Sequence, residues 1–554
     1  MIASTPFKHP VFTFGLPFEG KLNVKNRWVI LANLIPWDKL ADTYNNAMCA
    51  TNGRLALPAR LAMGALFVKH LLKISDEETI LQIQENVYLQ YFVGLEVFQE
   101  APIFDPSLFV AIRKRLGKDG VTAVENAIVD AMIADRTQGK VEQKNDEKPT
   151  SEPTKDEPTA DKPTDEPTKN EPTKNHSTKK QTNKKKAAKP KKTTNIVLPP
   201  KKNLPHRGHL KIDTTVAPQK IKFPTDLDLL NTARQKSEKY LALLCTQLGL
   251  PRKNYRTYRR TARKDYLKVA KMKRKTRKVL RAAIRKQLGY LKRNLLNIKQ
   301  LIALVRTENP DATLNGWLAK DLAEYETVQT LYTQQKTMYD TQTNRCDNRI
   351  VSISQPYVRP IVRGKTHVNT EFGAKIAIAT IDGISTVDNF SWNAYNENAD
   401  LQTHIDRYTD RYQCYPELIN CDKIYHTTAN HQLAEHYGTR LVGTKLGRPK
   451  KIDQTPEAKR VAQAERNQRN VIEGKIGQAK NRYGLDKIPA KTDTTSVVWT
   501  TCCIIATNLV RWLKDVSLCP KSETYSLTHF YHIYTQIYFL TIHKTQAHGI
   551  TATF

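Results

Sequence analysis

Near the carboxyl end of the chain, the run RNQRNVIEGKIGQAKNRYGL sets one carboxylate among cations at helical spacing. Arg469 lies four residues before Glu473, and Ile476, Gly477 and Lys480 follow it at three, four and seven residues, so all five share one helix face. An acid framed by an arginine one turn earlier and a lysine two turns later can hold a divalent cation while its neighbours grip phosphates. The same spacing also describes an ordinary Arg469–Glu473 surface pair worth about 0.3–0.5 kcal/mol. This stretch alone does not choose between the two.

Two further acids occupy positions that an active site would favour. Asp213 falls inside the β-prone run HLKIDTTVAP, and Asp422 ends the run ELINCD. Aspartate forms strands poorly and is costly to bury, so an aspartate within or at the tip of an apolar strand calls for a compensating partner. A divalent cation is such a partner, and magnesium prefers hard oxygen ligands. Two ions about 3.5–4 Å apart would serve the attacking and the leaving oxygen of an in-line phosphoryl displacement. Taken singly, each aspartate is more often a cap or turn residue. What selects these two is the order of elements: a strand, a helical insert, two strands, a helix, a strand, a helix, a strand and a long helix holding Glu473. That order predicts an α/β sheet covered by helices. In an RNase-H-like sheet the first and fourth strands lie side by side and the last helix crosses them, which would bring Asp213, Asp422 and Glu473 together.

The elements that must position these acids are expected between residues 206 and 515, behind an amino-terminal module and a linker. Residues 1–140 read as a helical module, with apolar residues at three- and four-residue spacing and a capping box at Ser75 and Glu78. Its last helix, after an Asp105/Ser107 start signal, carries Arg113, Lys114 and Arg115. That helix reads equally as a DNA-reading helix or as the solvated basic face of a bundle. Residues 141–205 form a Pro/Thr/Lys-rich linker of EPT-like repeats followed by a lysine cluster, with almost nothing to bury. The catalytic region is expected over 206–515, interrupted at about 225–345 by a helical insertion. The insertion contains the very basic stretch NYRTYRRTARKDYLKVAKMKRKTRKVLRAAIRKQLGYLKRN, with Arg274, Lys275, Arg277 and Lys278 at its centre. So large an excess of cations would repel itself without an anion to neutralise it, and Tyr255, Tyr258 and Tyr266 are placed for sugar or phosphate contacts. A tail from 516 to 554 has no assigned role.

Composition agrees with a polyanionic partner. The chain has 554 residues, 63.3 kDa, a formal charge of +34 and a pI near 9.7, and 39% of it is hydrophobic. Nucleic acid is the default partner, and the apolar share is enough for sizeable cores. The eight cysteines show no CxxC or HxxxH pairing, which argues against a zinc site or a disulfide frame and fits reduced thiols in an intracellular protein. The amino terminus has no signal-peptide pattern. The apolar run SVVWTTCCIIATNLVRWL is broken by Asn508 and Arg511, so a buried helix is expected rather than a membrane span.

With these residues in view, the chain resembles an insertion-sequence DDE transposase with an InsH-type amino-terminal domain. The resemblance rests on NRWVILANLIPW, SDEETILQIQENVYLQYFVGL and FDPSLFVAIRKRL in the first part. In the second part it rests on IDTTVAPQKIKFPTDLDLLN, RIVSISQPYVRPIVRGKTHVNTEFGAKI, CDKIYHTTANHQLAEHYGTRLVGTKLGRPK and RNVIEGKIGQAKNRYGL. It covers most of the chain outside the linker and the tail. It implies an RNase-H-like, retroviral-integrase-like catalytic domain with a large helical insertion, preceded by an all-α domain. Asp213, Asp422 and Glu473 would be the catalytic and metal-holding acids, with two Mg2+ ions, or Mn2+ in their place. Arg469 and Lys480 would hold phosphates near the scissile bond, Asn470 would contact DNA or orient Glu473, and the Lys445/Arg448 loop would meet the duplex. The chain departs from the family at Arg466, where relatives often carry a tyrosine; an arginine plane can stack on a base as well.

The resemblance further implies binding to double-stranded DNA, at terminal inverted repeats and at the target, by a dimer in the cytoplasm at the nucleoid. The reaction would be strand cleavage followed by strand transfer. Three other readings stay open: a degenerate copy that only binds DNA, a structural nucleic-acid binder, and a nuclease acting on RNA in hybrids.

Overall fold

Helix-forming, alanine- and leucine-rich sequence opens the described part of the chain. The computed structural model describes residues 21–48, 56–146, 199–308, 319–362, 370–443 and 455–517. Five short helices, α1 (Arg27–Leu34), α2 (Trp37–Asn46), α3 (Ala59–Leu72), α4 (Asp76–Glu85) and α5 (Val87–Phe92), precede the long α6 (Leu108–Asp146). Helix α3 is buried on every side from Ala59 to His70, as befits a core helix. Ser75 caps α4 by accepting from the Glu78 amide at 3.0 Å. Gly117 interrupts α6 with φ 60°, a left-handed conformation that glycine adopts without strain. Helix α6 continues to Asp146, into the stretch read as linker. The repeats and the lysine cluster lie within 147–198 and the tail beyond 517, outside the described residues.

The chain forms two compact units, one of residues 1–132 with 201–554 and one of residues 133–200. The first holds a six-stranded sheet. Its strands are β1 (His209–Pro218), β2 (Arg359–Val362), β3 (Thr370–Ile381), β4 (Ile384–Ser391), β5 (Leu418–Asn420) and β6 (Arg440–Val442). Strand β1 pairs antiparallel with β3 and parallel with β5, and β5 pairs parallel with β6. Strands β2 and β4 take successive lengths of the other edge of β3. The run RIVSISQPYVRPIVRG, read as strand-forming, yields only the four residues of β2 among those described, in keeping with its two prolines. Gly373 is required where β3 crosses β1, because a Cβ there would stand 2.1 Å from the Ala217 carbonyl oxygen.

Between β1 and β2 lie α7 (Asp226–Gln247), α8 (Arg259–Ala270), α9 (Arg277–Glu308) and α10 (Ala319–Asp340). Helices α7, α9 and α10 share an apolar core that includes Leu230, Leu244, Leu291, Ile298 and Val328, and α8 lies on α9. Two of the three tyrosines expected on the DNA side of this insert face its interior. Tyr266 donates to Asp228 at 2.6 Å and Tyr255 packs against the core, while Tyr258 is exposed beneath Arg293.

One face of the sheet packs on α11 (Leu401–Tyr412) and α12 (Thr428–Tyr437), through Leu210, Ile212, Ile405, Ile419 and Tyr437. The other face packs on α14 (Asn470–Tyr483) and α15 (Asp493–Ser517), through Ala217, Ile376, Ile378, Ile472 and Ile504. Helix α15 is the one helix among the described residues long and apolar enough to cross a membrane, and 78% of its apolar window is buried in the fold. It packs on β4, α14 and α3.

The amino-terminal helices pack directly on this body. Lys73 donates to the Asn481 carbonyl and pairs with Asp486 at 3.2 Å, and the His70 ring meets Trp499 edge-on at 4.7 Å. On α6, Glu125 accepts from the Val387 amide at 3.2 Å, and Asp130 pairs with Arg411 at 3.4 Å. This packing corrects the reading of Arg113 as a DNA-reading residue. Arg113 is only 5% exposed, paired with Asp76 at 3.0 Å and laid near the Trp499 ring, whereas Lys114 and Arg115 remain exposed.

Candidate active site

Strand alternation aims the first acid. Ile212 joins the core under α11, and the Thr214 hydroxyl lies 3.1 Å from that of Tyr425 on the same face, so Asp213 between them faces α14. Asp422 follows two residues after β5, the parallel neighbour of β1, and caps a tight turn by accepting from the Lys423 amide at 2.7 Å. Glu473 lies in the first turn of α14, where the helix dipole favours an anion.

The three carboxylates surround one guanidinium. Arg469 Nη2 is 2.8 Å from Glu473 Oε1 and 3.7 Å from Asp213 Oδ2, and its Nη1 is 3.1 Å from Asp422 Oδ1. The arginine reaches this position because the long helix expected around Glu473 is in fact two, α13 (Pro456–Asn467) and α14. The Asn420 side-chain amide, from β5, donates to the Glu465 carbonyl at 2.7 Å. In an unbroken α-helix that carbonyl would accept from the Arg469 amide; instead the Arg469 amide bonds to Arg466 O at 3.1 Å. The Glu465 carbonyl also accepts from the Gln468 amide at 3.2 Å, so α13 and α14 meet in a tightened, 3₁₀-type turn through Gln468 and Arg469, with Asn420 bonded to its start. The Arg440–Glu465 ion pair fastens α13 to β6 beside it.

The electrostatics are those of an under-neutralised acid centre. Burial pushes the Asp213 carboxyl above the usual carboxylate range, and the charges of Glu397 and Asp422 act in the same direction. Arg469 and the Thr214 amide oppose the shift without cancelling it. Among the described residues, no three His, Cys, Asp or Glu side chains stand as a ready cation cage. The acids face a guanidinium instead. Their chemistry nonetheless suits a hard divalent cation: the donors are carboxylate oxygens, three negative charges meet one positive, and the most buried acid lacks a full countercharge.

The other residues singled out from sequence are dispersed. Arg466 is exposed on α13, and with Asp422, Lys423 and Arg469 it lines a cavity of about 190 Å³. Asn470 is exposed as the first residue of α14, and Lys480 is half-buried near its far end. Lys445 and Arg448 lie outside the described residues. Arg274, Lys275, Arg277 and Lys278 are all exposed at the α8–α9 turn and the start of α9, within the insert rather than among the acids. The first turn of α9 carries no acid, so its cations oppose the helix dipole.

Sequence reasoning missed three contributors. Asn420 ties β5 to the end of α13 through the Glu465 carbonyl, and Lys423 stands beside Asp422 in the cavity. Lys375, within the apolar strand β3, pairs at 3.0 Å with Glu397, whose charge reaches Asp213. A lysine just before the apolar run IAIA was the available signal, since a buried cation needs a partner.

Comparison with known proteins finds transposase domains. A transposase DDE domain matches residues 419–514, which contain Asp422, Arg469 and Glu473, and a transposase domain of the DUF772 type matches residues 17–115. An uncharacterised protein of Rhizobium meliloti, ORF8 of the nfe locus, is 36% identical over 116 residues. That match covers 21% of this chain and 55% of the relative, so the chain spans about half the length of the curated protein it matches. No solved structure matches the chain. Both matches are to transposase domains, and a transposase DDE domain implies an RNase-H-like fold. The chain thus carries two segments similar to transposase domains, one near each end of its described part.

Proposed function

We propose that this protein binds the terminal inverted repeats of an insertion sequence and catalyses cleavage and strand transfer at Asp213, Asp422 and Glu473. The observation that carries the reading is the convergence of these acids, from β1, the end of β5 and α14, on one guanidinium. Their oxygens would hold Mg2+, two ions or Mn2+ in their place, which would activate the attacking oxygen and stabilise the leaving one. Arg469, Lys423 and Arg466 would hold phosphates beside the scissile bond, with Lys480 further along α14 and with Lys445 and Arg448, which precede α13 in sequence. Asn470 would contact DNA or orient Glu473. The RNase-H-like body at 206–515 would do the chemistry, residues 1–140 would recognise element ends, and Arg274, Lys275, Arg277 and Lys278 would anchor the duplex. The reaction joins two ends, so a dimer is expected on DNA, in the cytoplasm at the nucleoid.

The test is cleavage of DNA carrying the ends that flank this gene, with Mg2+, by the intact protein and by Asp422→Asn. Nicking at the end that the variant loses, with DNA affinity nearly unchanged, is the expected result. Equal nicking by both proteins would refute the assignment, and tight binding without cutting by either would identify a degenerate, DNA-binding copy.

A further inference from the structure

Arg469 is placed to do more than hold a phosphate. Its guanidinium contacts all three acids, at 2.8, 3.1 and 3.7 Å, in the space that a shared cation would need. Magnesium–oxygen distances are about 2.0–2.1 Å, so a small cation cannot share these oxygens with a guanidinium lodged between them. Its hold is also weak. The Arg469 side chain is 26% exposed, Asp422 46% and Glu473 53%, and ion pairs that open to water contribute little. Its Nε, by contrast, is buried without a hydrogen-bond partner, an unfilled donor on the same guanidinium.

A competing site adjoins it. Arg469, Lys423 and Arg466 line the cavity of about 190 Å³ next to Asp422, three cations around space that a phosphate group would fill. Arginine binds phosphate through two parallel charged hydrogen bonds, a stronger contact than an exposed carboxylate pair.

Building on the transposase reading, we propose that Arg469 is a positioning residue that seals the acid triad in the free protein. A DNA phosphate draws it into the adjoining cavity, so that divalent cation binds tightly only once DNA is seated. The sealed state gathers the acids before the ion arrives and keeps cation off them when no substrate is present. By linkage, DNA tightens cation binding and cation tightens DNA binding by the same factor, expected at roughly 5–150-fold.

The test is Mn2+ binding to the full-length protein, read from the spin-resonance signal of free Mn2+, with and without a short duplex that lacks element ends. Asp422→Asn with the same duplex measures Mn2+ held by DNA alone. Wild-type protein is expected to bind Mn2+ weakly alone and about tenfold or more tightly with duplex. Arg469→Gln is expected to bind Mn2+ tightly without DNA and to gain little from it, with Arg469→Lys between the two. The proposal is overturned if the duplex leaves wild-type affinity unchanged, or if a folded Arg469→Gln binds Mn2+ no better than wild type. If neither wild type nor Arg469→Gln holds more Mn2+ than Asp422→Asn under any condition, the metal-holding role of the triad fails, and this inference with it. If Arg469→Gln does not fold, the wild-type comparison with and without duplex decides.

Discussion

Asp213 and Arg469 carry opposite burdens at the same point. The aspartate is buried with too little positive charge, and the arginine divides its charge among three acids. A carboxyl whose folded pKa is raised stabilises the fold most below its unfolded pKa, and that contribution is lost as pH rises through the folded value. At neutral pH the ionised Asp213 is therefore a cost. Asp213→Asn is expected to raise the thermal midpoint of the metal-free protein at pH 7 and to gain nothing near pH 3, while abolishing cleavage. A lower midpoint at pH 7 would show that the Arg469 contact outweighs burial. The Arg469–Glu473 spacing was legible in the sequence because four residues on a helix fix a shared face. The reach of the same arginine to Asp213 and Asp422 was not, because it depends on strands far apart in sequence.

At the scale of elements, the site depends on a helix break that local sequence does not announce. The stretch AQAERNQRNVIEG contains no proline, and its one glycine lies beyond Glu473, so it reads as continuous helix. At the tightened turn the Glu465 carbonyl accepts from Asn420, supplied by a strand 45 residues earlier, as well as from the Gln468 amide. Asn420→Leu removes the donor to Glu465 and is expected to cost about 1 kcal/mol in urea unfolding. It should also lower cleavage more than it lowers stability, because Arg469 and Glu473 turn away from β1 together. Unchanged cleavage at reduced stability would limit Asn420 to a structural role. Much of the strand and helix order was legible from apolar periodicity, although three strands rather than two follow the insert. The burial of Arg113 was not, since its partner Asp76 and the Trp499 ring lie on other helices.

For the whole molecule, charge and docking set the behaviour. Neutralising Arg274, Lys275, Arg277 and Lys278 together is expected to weaken duplex binding and to flatten its log–log salt slope by roughly 3–4 units. An unchanged slope would remove the insert from the DNA path. The amino-terminal helices meet the sheet partly through Glu125, whose carboxyl is fully buried and pushed up to about 8, chiefly by burial. Its raised folded pKa gives stability that is complete below its ordinary value near 4.5 and is lost as pH climbs through about 8. The thermal midpoint of the wild type should thus fall across that window, and Glu125→Gln should flatten the decline. An identical pH profile for the two would place the titration elsewhere. Composition made a polyanionic partner legible, but the docking of the helical module on the sheet was hidden in single polar contacts such as this one.

Transposition by this protein requires the three acids to act as one catalytic centre. The most direct measurement is strand cleavage and transfer on DNA bearing the element's own ends, with Mg2+, comparing the wild type with Glu473→Gln at matched DNA occupancy. The account predicts end-specific nicks and joined products from the wild type and neither from the variant. Equal product from Glu473→Gln would contradict it.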